Sequence, residues 1–194
     1  FSRVLYGGRV ALYVATIGVS VSMAFGLLFG MLAGYGPRWL DNILLLLFDV
    51  IRSFPTIIIG LAAVALLGPS LNLILAIVIV TTIPAYARLV RTSTMALRNT
   101  EFIIAERSLG VTLGGILWRH ILPNVIGPMF ILAAMDVPVV VTVGAGLSFL
   151  GLGVLPPTAS WGSILNEGYL LIRQTPRPIV AGGISLVVTT VGFT

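Results

Sequence analysis

The stretch Glu101–Asn124, EFIIAERSLGVTLGGILWRHILPN, is the one place in this sequence where charged residues cluster. Two glutamates and two arginines lie within it, and Arg88, Arg91 and Arg98 come just before it. The chain on either side is almost free of charge over long distances. A polar, basic segment between apolar arms must lie outside the hydrocarbon while the arms lie inside it. We therefore expect the arms to form a membrane-spanning helical bundle. A cytoplasmic partner would bind this segment and thereby move the bundle.

The composition is that of an integral membrane protein. The 194 residues are 58% hydrophobic and 9% charged, with a mean hydropathy of +1.12. Soluble domains carry about 25% charged residues, so the deficit is too large for a soluble protein. The net charge of +5 comes from eleven arginines and no lysine. These arginines flank apolar runs, which indicates a role in membrane topology and argues against nucleic acid as a partner.

Five membrane spans are predicted, because a crossing helix needs about 20 mainly apolar residues. They cover residues 10–35, 40–67, 73–89, 122–150 and 178–194. The arginine-rich loop 91–120 is expected to be cytoplasmic and the loop 151–177 external. The stretch 144–168, which is rich in Gly, Pro and Ser, should be an ordered loop or a re-entrant segment packed on protein. Arg3 and Arg9 then lie on the outer side, against the positive-inside rule. We expect one transmembrane domain over 1–194, truncated at both ends, because the chain starts without Met and ends inside an apolar run.

The first span carries a small residue at every fourth position. Residues at this spacing share one helix face, where the backbone of another helix can approach closely. We expect this face to pack against another subunit of an assembly. Its members are Gly18, Ser22, Gly26, Gly30 and Gly34.

Three charged residues fall well inside predicted spans, away from the span ends. Asp49 and Arg52 are three positions apart, so they share a helix face and could pair, and Pro55 is expected to kink the helix just after them. Asp136 lies in the fourth span. Charges at that depth normally face a bundle interior or an aqueous cavity. They are therefore either polar points on a translocation path or structural ion pairs, and the sequence leaves both readings open.

Several kinds of chemistry are excluded by the composition. The chain has no cysteine and a single histidine, His120, so it has neither a thiolate site nor a histidine-based metal cluster. Without a lysine it cannot present a Walker-type phosphate loop. Ser148 and His120 would be the candidates for a serine nucleophile and its base, but they lie about 40 Å apart along a helix.

The segment Glu101–Leu109 can form an amphipathic helix, with Phe102, Ala105 and Leu109 near one face. Gly110 is a natural stop for such a helix. A short helix held between two spans could dock in a groove of a partner and transmit rigid-body movement. It could equally rest on lipid headgroups, and the pattern alone does not decide between these roles.

The segment resembles the EAA loop of inner-membrane permease subunits of binding-protein-dependent ABC importers. That motif reads roughly EAA, three residues, G, nine residues, I-x-L-P. The residues that match it are Ala105, Gly110 and the run His120–Asn124. The chain departs from the motif at two positions, because Ile104 stands in the slot of the family's Glu and Glu106 in the slot of its second Ala.

Three further stretches are similar to the peptide and nickel subfamily, in its second-permease ("C") type. FSRVLYGGRVAL at 1–12 resembles the FSR-(L/V)-LYG-ARxSL segment of permeases of this type. DVIRSFP at 49–55 is similar to its DxxxxFP motif, and LSFLGLGVLPPTASWGSIL at 147–165 to its external segment. Three separated motifs in the right order are far more specific than the loop alone.

The resemblance implies an all-α ABC importer permease fold with six helices in the whole protein, five of them visible here. It implies a non-catalytic bacterial inner-membrane subunit that forms half of a pore for di- or oligopeptides or related small solutes. The partners would be a second permease, an external binding protein and two cytoplasmic ATPases, which would bind ATP and Mg²⁺ themselves. The residues implied in coupling to the ATPase are Glu101, Ala105, Glu106, Arg107, Gly110, Leu122 and Pro123.

Two readings from other classes compete with this one. An ion-coupled secondary carrier would use Asp49, Arg52 and Asp136 as titrating sites. A structural membrane scaffold would carry out no transport.

Overall fold

A computed structural model of the chain describes residues 2–154 and 157–193. These residues form helices joined by short connections, and they contain no strand. The helices are α1 (Ser2–Tyr35), α2 (Arg38–Ser53), α3 (Thr56–Leu67), α4 (Leu71–Arg98), α5 (Glu101–Ser108), α6 (Leu113–Ile116), α7 (Leu122–Phe149), α8 (Trp161–Leu170) and α9 (Arg177–Gly192). A π-helical turn, Leu117–Ile121, joins α6 to α7 without a break.

Three helices in the described residues are long and apolar enough to cross a membrane, namely α1, α4 and the continuous helix Leu113–Phe149. Helices α2 and α3 add a fourth span if the pair, broken at Phe54–Pro55, counts as one crossing. The break agrees with the kink expected at Pro55, whose ring cannot continue a helix. The fifth predicted span corresponds to α9, which is apolar but only 16 residues long.

The helices extend beyond the predicted spans, because a hydropathy pattern marks the membrane-embedded part of a helix and not its ends. Helix α1 begins at Ser2 and not near residue 10, and α4 continues through the arginines to Arg98. The loop predicted at 151–177 contains α8, whose Trp161 and Ile164 are buried. The described part of the 144–168 stretch thus has its first residues in α7 and its last residues in α8.

The chain divides into two compact units, each assembled from separate stretches of sequence. Unit one takes the described residues of 1–20, 54–81 and 134–194, and unit two takes 21–53 and 82–133. Helices α1, α4 and α7 each contribute residues to both units.

In unit two, the second half of α1 packs closely on α4. A Cβ atom added to Gly26 would lie 2.2 Å from the Cβ of Tyr86, and the matching distances for the next two glycines of the stripe are 2.5 Å and 2.7 Å. The contacts advance in the same direction along both helices, so α1 and α4 run parallel. The contacting pairs are Gly26–Tyr86, Gly30–Val90 and Gly34–Thr94.

The small-residue face of α1 is therefore covered within the chain. Ser22 is fully buried, and in unit one a Cβ on Gly18 would meet Val78 of α4 at 2.9 Å. The spacing correctly indicated close helix packing, but the expected partner was wrong: these residues contact α4 of the same chain and not a second subunit. Spacing reports that a helix approaches and carries no information on which chain it belongs to.

In unit one, α8 is fixed to the start of α1. The indole Nε1 of Trp161 donates a hydrogen bond of 2.8 Å to the carbonyl of Val4, and the ring lies over Gly7 and Gly8. A Cβ on Gly7 would come within 2.9 Å of that ring, so the glycine makes room for it. Trp161 is only 7% exposed, so its ring is packed within the chain.

Candidate functional site

Helix α5 is a short, well-terminated helix outside the apolar runs. It starts after Thr100, whose backbone is extended, and carries Glu101 in its first turn and Arg107 in its last turn. Both charges suit the helix dipole. Gly110 has a φ of +81°, the backbone amide of Val111 donates to the carbonyl of Glu106 at 3.1 Å, and that of Gly110 donates to Arg107 at 3.0 Å. This pair of bonds is a Schellman motif, and it confirms Gly110 as the stop.

The buried face of α5 is not the one expected from its sequence. Ile103 is completely buried and anchors the helix, whereas Phe102, Ala105 and Leu109 are all exposed. Leu109 is 82% exposed and Ile104, in the slot of the family's glutamate, is 51% exposed. One buried anchor is enough to seat an eight-residue helix, so the rest of its apolar surface remains uncovered in this chain. Exposed apolar groups in a charged segment are typical of an interaction surface.

Helix α5 is held to the start of α7 through His120. The Nε2 atom of His120 lies 3.5 Å from Oε1 of Glu106, and the imidazole meets the ring of Phe102 edge-on, with centroids 6.0 Å apart. Phe102 and Glu106 are one turn apart on α5, so both face the same histidine. The acid in the second-alanine slot thus contacts another part of its own chain.

Helix α5 is also held to the end of α1. A guanidinium nitrogen of Arg107 donates to the hydroxyl of Tyr35 at 2.7 Å, and its guanidinium carbon lies 5.4 Å from the centre of that ring. Arg98, just before α5, donates to the carbonyl of Gly34 at 2.9 Å. Movement of α5 would therefore act on α1 as well as on the start of α7.

A π-helical turn connects the segment to α7. The backbone amide of Leu122 bonds to the carbonyl of Leu117, five residues back, and Pro123 has no N–H to continue the regular ladder. The Asn124 side chain donates to the carbonyl of His120 at 2.7 Å. The sequence reasoning missed this turn, although Pro123 inside a helical run was the signal for it. Leu122 and Pro123 thus open α7 directly after His120 and Ile121.

Both acids of α2 are paired with arginines of α4 in unit two. Arg91 makes two bonds with Asp41, of 2.5 Å and 2.6 Å, and Arg88 pairs with Asp49. Asp49 therefore pairs with Arg88 of α4 and not with Arg52, which lies three residues further along α2. The reason is that the face of α2 that carries Asp49 packs toward α4. Asp49 remains 65% exposed in this pair.

The other two residues predicted on a translocation path, Arg52 and Asp136, lie outside the Asp49–Arg88 pair. Arg52 is exposed near the end of α2. Asp136 lies in α7, in unit one, with a half-buried side chain. The structure thus places Asp49 and Arg52 in one unit and Asp136 in the other.

A further charged contact fixes α8, and no sequence pattern indicated it. Arg3 makes two hydrogen bonds to the Glu167 carboxylate, of 2.7 Å and 2.6 Å. These bonds hold the pKa of Glu167 below its usual value. The two residues are far apart in sequence, so no local pattern could have indicated their contact.

The chain belongs to the family described as "Binding-protein-dependent transport system inner membrane component", whose model matches residues 26–194. It is therefore part of a multi-pass bacterial inner-membrane protein. The resemblance proposed from the EAA-like loop and the three flanking motifs is thereby confirmed at the level of the family.

Curated relatives match along the whole chain. It is 36% identical over 193 residues to the dipeptide transport system permease protein DppC of Alkalihalophilus pseudofirmus and to the glutathione transport system permease protein GsiD of Pectobacterium atrosepticum. It is 38% identical over 195 residues to a putative peptide permease protein of Brucella ovis. The match covers 100% of this chain but only 64%, 64% and 65% of the three relatives.

Solved ABC importers share the fold. The inward-facing MetNI methionine ABC transporter matches with a TM-score of 0.80 at 18% identity, over 100% of this chain and 92% of the solved one. An amino acid ABC transporter crystallised with histidines matches with a TM-score of 0.75 at 16% identity, over 99% and 89%. The architecture is thus that of an ABC importer permease.

Proposed function

We propose that this chain is the transmembrane permease subunit of an ATP-driven importer of di- or oligopeptides or related small solutes. It forms half of the translocation pore and docks a cytoplasmic ATPase through α5. The observation that carries the proposal is the setting of α5: an exposed surface on one side, and attachments to α1 and to the start of α7 on the other. Family membership and the names of the relatives support it over an ion-coupled carrier.

The mechanism follows from how α5 is held. A partner that seats α5 in a groove takes hold of a helix anchored by Ile103 and capped by Gly110. A rigid-body shift of that groove then moves α5. The movement displaces Tyr35 through its contact with Arg107, and it displaces His120 through its contacts with Glu106 and Phe102. Packed helices move as units and do not deform continuously, so the displacement reaches the membrane-spanning parts of α1 and α7.

The energy source lies in other chains under this proposal. The sequence has no lysine and therefore no Walker-type loop, so ATP and Mg²⁺ would bind to two ATPase subunits. A second homologous permease would complete the pore, and an external binding protein would deliver the solute. The coupling residues are Glu101, Ala105, Glu106, Arg107, Gly110, Leu122 and Pro123.

The substrate proposal rests on the relatives, which are named for dipeptide, peptide and glutathione transport. Asp49 and Arg52, on the exposed part of α2, and Asp136 in α7 are the candidates to contact a zwitterionic peptide on its way through. A charged pair as exposed as Asp49–Arg88 in a membrane-spanning region needs water or protein beside it.

The test is solute uptake by the complete transporter, with its partner chains, reconstituted in liposomes. We expect uptake of a labelled dipeptide or of glutathione to require ATP and the binding protein, and to continue when an ionophore removes the proton gradient. Uptake that follows the proton gradient and ignores ATP would contradict the proposal and favour the ion-coupled carrier. Normal ATP-driven uptake with residues 101–118 scrambled would contradict the assignment of α5.

A further inference from the structure

We propose that Glu106 and His120 are positioning residues: their contact fastens α5 to α7 and passes the movement of α5 into the membrane. The inference rests on the proposed function and goes beyond it, because it assigns the relocated acid of the EAA-like loop to a partner within the chain. The competing assignment is that Glu106 stands in for the family's glutamate and contacts the ATPase directly.

The direction of the Glu106 side chain favours the internal partner. Positions 104 and 106 are separated by about 200° around a helix, so they point to nearly opposite sides. The side chain at 104 is an exposed isoleucine, whereas the Glu106 side chain is 33% exposed and its carboxylate lies 3.5 Å from His120. Relocating the acid by two positions has therefore turned it from the open side of α5 toward the start of α7.

His120 has a ring nitrogen without a hydrogen bond among the described residues, and the Glu106 carboxylate could provide one. Its Nε2 atom is fully buried and makes no hydrogen bond to any residue that the structure describes. A buried polar nitrogen without a partner is costly, and Glu106 is the acid placed beside it. A small rotation of the carboxylate toward Nε2 would complete a charge-assisted hydrogen bond, and we expect this contact to tighten when a partner presses on α5.

The histidine is well placed to pass on a force. Phe102 meets its ring edge-on, so α5 contacts the imidazole through two residues one turn apart. Its own carbonyl is fixed by the Asn124 side chain, and Ile121, the next residue, is fully buried. The backbone around His120 is a π turn, an irregularity frequent at functional sites. Displacing the imidazole therefore displaces the first turn of α7.

The experiment compares five forms of the complete reconstituted transporter. They are the unmodified protein, Glu106→Gln, His120→Gln, the double variant with both changes, and an exchange variant with Glu106→His and His120→Glu. Each is assayed for partner assembly, for ATP hydrolysis and for the amount of solute imported per ATP hydrolysed. Glu167→Gln makes the same chemical change in α8, outside the coupling segment, and serves as the matched control.

We expect either single change to lower the import per ATP about fivefold or more, the range of a typical coupling energy. The double variant should be no worse than the worse single variant, and the exchange variant should recover part of the loss. If a single variant fails to assemble, recovery of assembly by the exchange supports the proposal equally. The control should import as much solute per ATP as the unmodified protein, because the pair with Arg3 that it loses joins α8 to α1, outside the coupling segment.

Three results would overturn the proposal that Glu106 and His120 act together. The first is a double variant whose loss is the product of the two single losses. The second is a His120→Gln variant that behaves as the unmodified protein while Glu106→Gln loses the ATPase, which would make Glu106 a direct docking contact. The third is an exchange variant with no recovery of assembly or coupling. Failure of the unmodified protein to import solute with ATP would instead reject the proposed function, so the two failures are distinguishable.

Discussion

Alanine substitutions along the glycine stripe of α1 should destabilise the bundle in proportion to how closely α4 approaches. At Gly26 the new Cβ would lie 2.2 Å from the Cβ of Tyr86 and 3.1 Å from the backbone nitrogen of Ala87. Neither atom can rotate away, because both are fixed to the α4 backbone. Carbon atoms need a separation of roughly 3.5–4.0 Å, so the two helices would have to part by more than 1 Å.

The size of the effect is the difference between two terms. Forcing an extra carbon into a packed interior costs about 1–3 kcal/mol. Replacing glycine by alanine inside a helix returns about 1 kcal/mol of propensity. Gly26→Ala should therefore destabilise the protein by up to about 2 kcal/mol, toward the upper end because neither obstacle can move. At Gly18 the nearest obstacle is a side-chain methyl of Val78 at 2.9 Å, which can shift, so the two terms should nearly cancel.

Gly146→Ala is the matched control, because it lies within α7 and a Cβ there meets nothing within 4 Å. It should stabilise the protein by up to about 1 kcal/mol. Thermal unfolding of the purified transporter in one detergent would measure all three variants. The predicted order of stability is Gly146→Ala, Gly18→Ala, Gly26→Ala. A Gly26→Ala variant as stable as the Gly146→Ala variant would refute the close packing of α1 on α4.

Three other changes test separate contacts. Gly110→Ala forces a side chain into a φ of +81°, at a cost of about 1–2 kcal/mol. The amide hydrogens of α5 should therefore exchange faster, and unchanged exchange would contradict the helix stop at Gly110. Trp161→Phe removes the donor to Val4 and should destabilise the protein by about 1 kcal/mol on thermal unfolding, whereas an unchanged midpoint would contradict that contact. Arg3 lowers the pKa of Glu167 in the folded protein. The stability that this pair adds is therefore fully present above the pKa of the unfolded chain, about 4.3, and is lost as the pH falls through the lower pKa of the folded protein. Thermal unfolding from pH 7 to pH 3 should show this loss, and Glu167→Gln should remove that part of the pH dependence; an equal pH dependence in the variant would argue against the pair.

The class of protein and the position of the coupling segment could be predicted because they depend on local sequence. Long uncharged runs have few ways to fold other than as membrane helices, and an arginine-rich stretch between them has to lie outside the hydrocarbon. Gly110 was predictable for the same reason, since a helix end needs a left-handed residue at a defined place. The break at Pro55 follows from the chemistry of one residue.

Features that depend on which elements meet could not be predicted. A stripe of glycines indicates a close neighbour but does not identify α4 as that neighbour. The pairing of Asp49 with Arg88, and the contact of Trp161 with the start of α1, both join residues far apart in sequence. The face of α5 was misjudged because Ile103 is its one completely buried residue, and one buried residue leaves no periodic signal.

Chemical crosslinking from α5 tests the central claim most directly. The chain has no cysteine, so Leu109→Cys introduces a single reactive thiol at the most exposed apolar position of the segment. Tyr169→Cys, at an exposed position of α8, is the control. In the assembled transporter, a short thiol-directed photocrosslinker on the Leu109→Cys variant should capture an ATPase subunit, and the Tyr169→Cys variant should capture none. Absence of an ATPase adduct at position 109, in complexes that still contain the ATPase and import solute, would contradict the account.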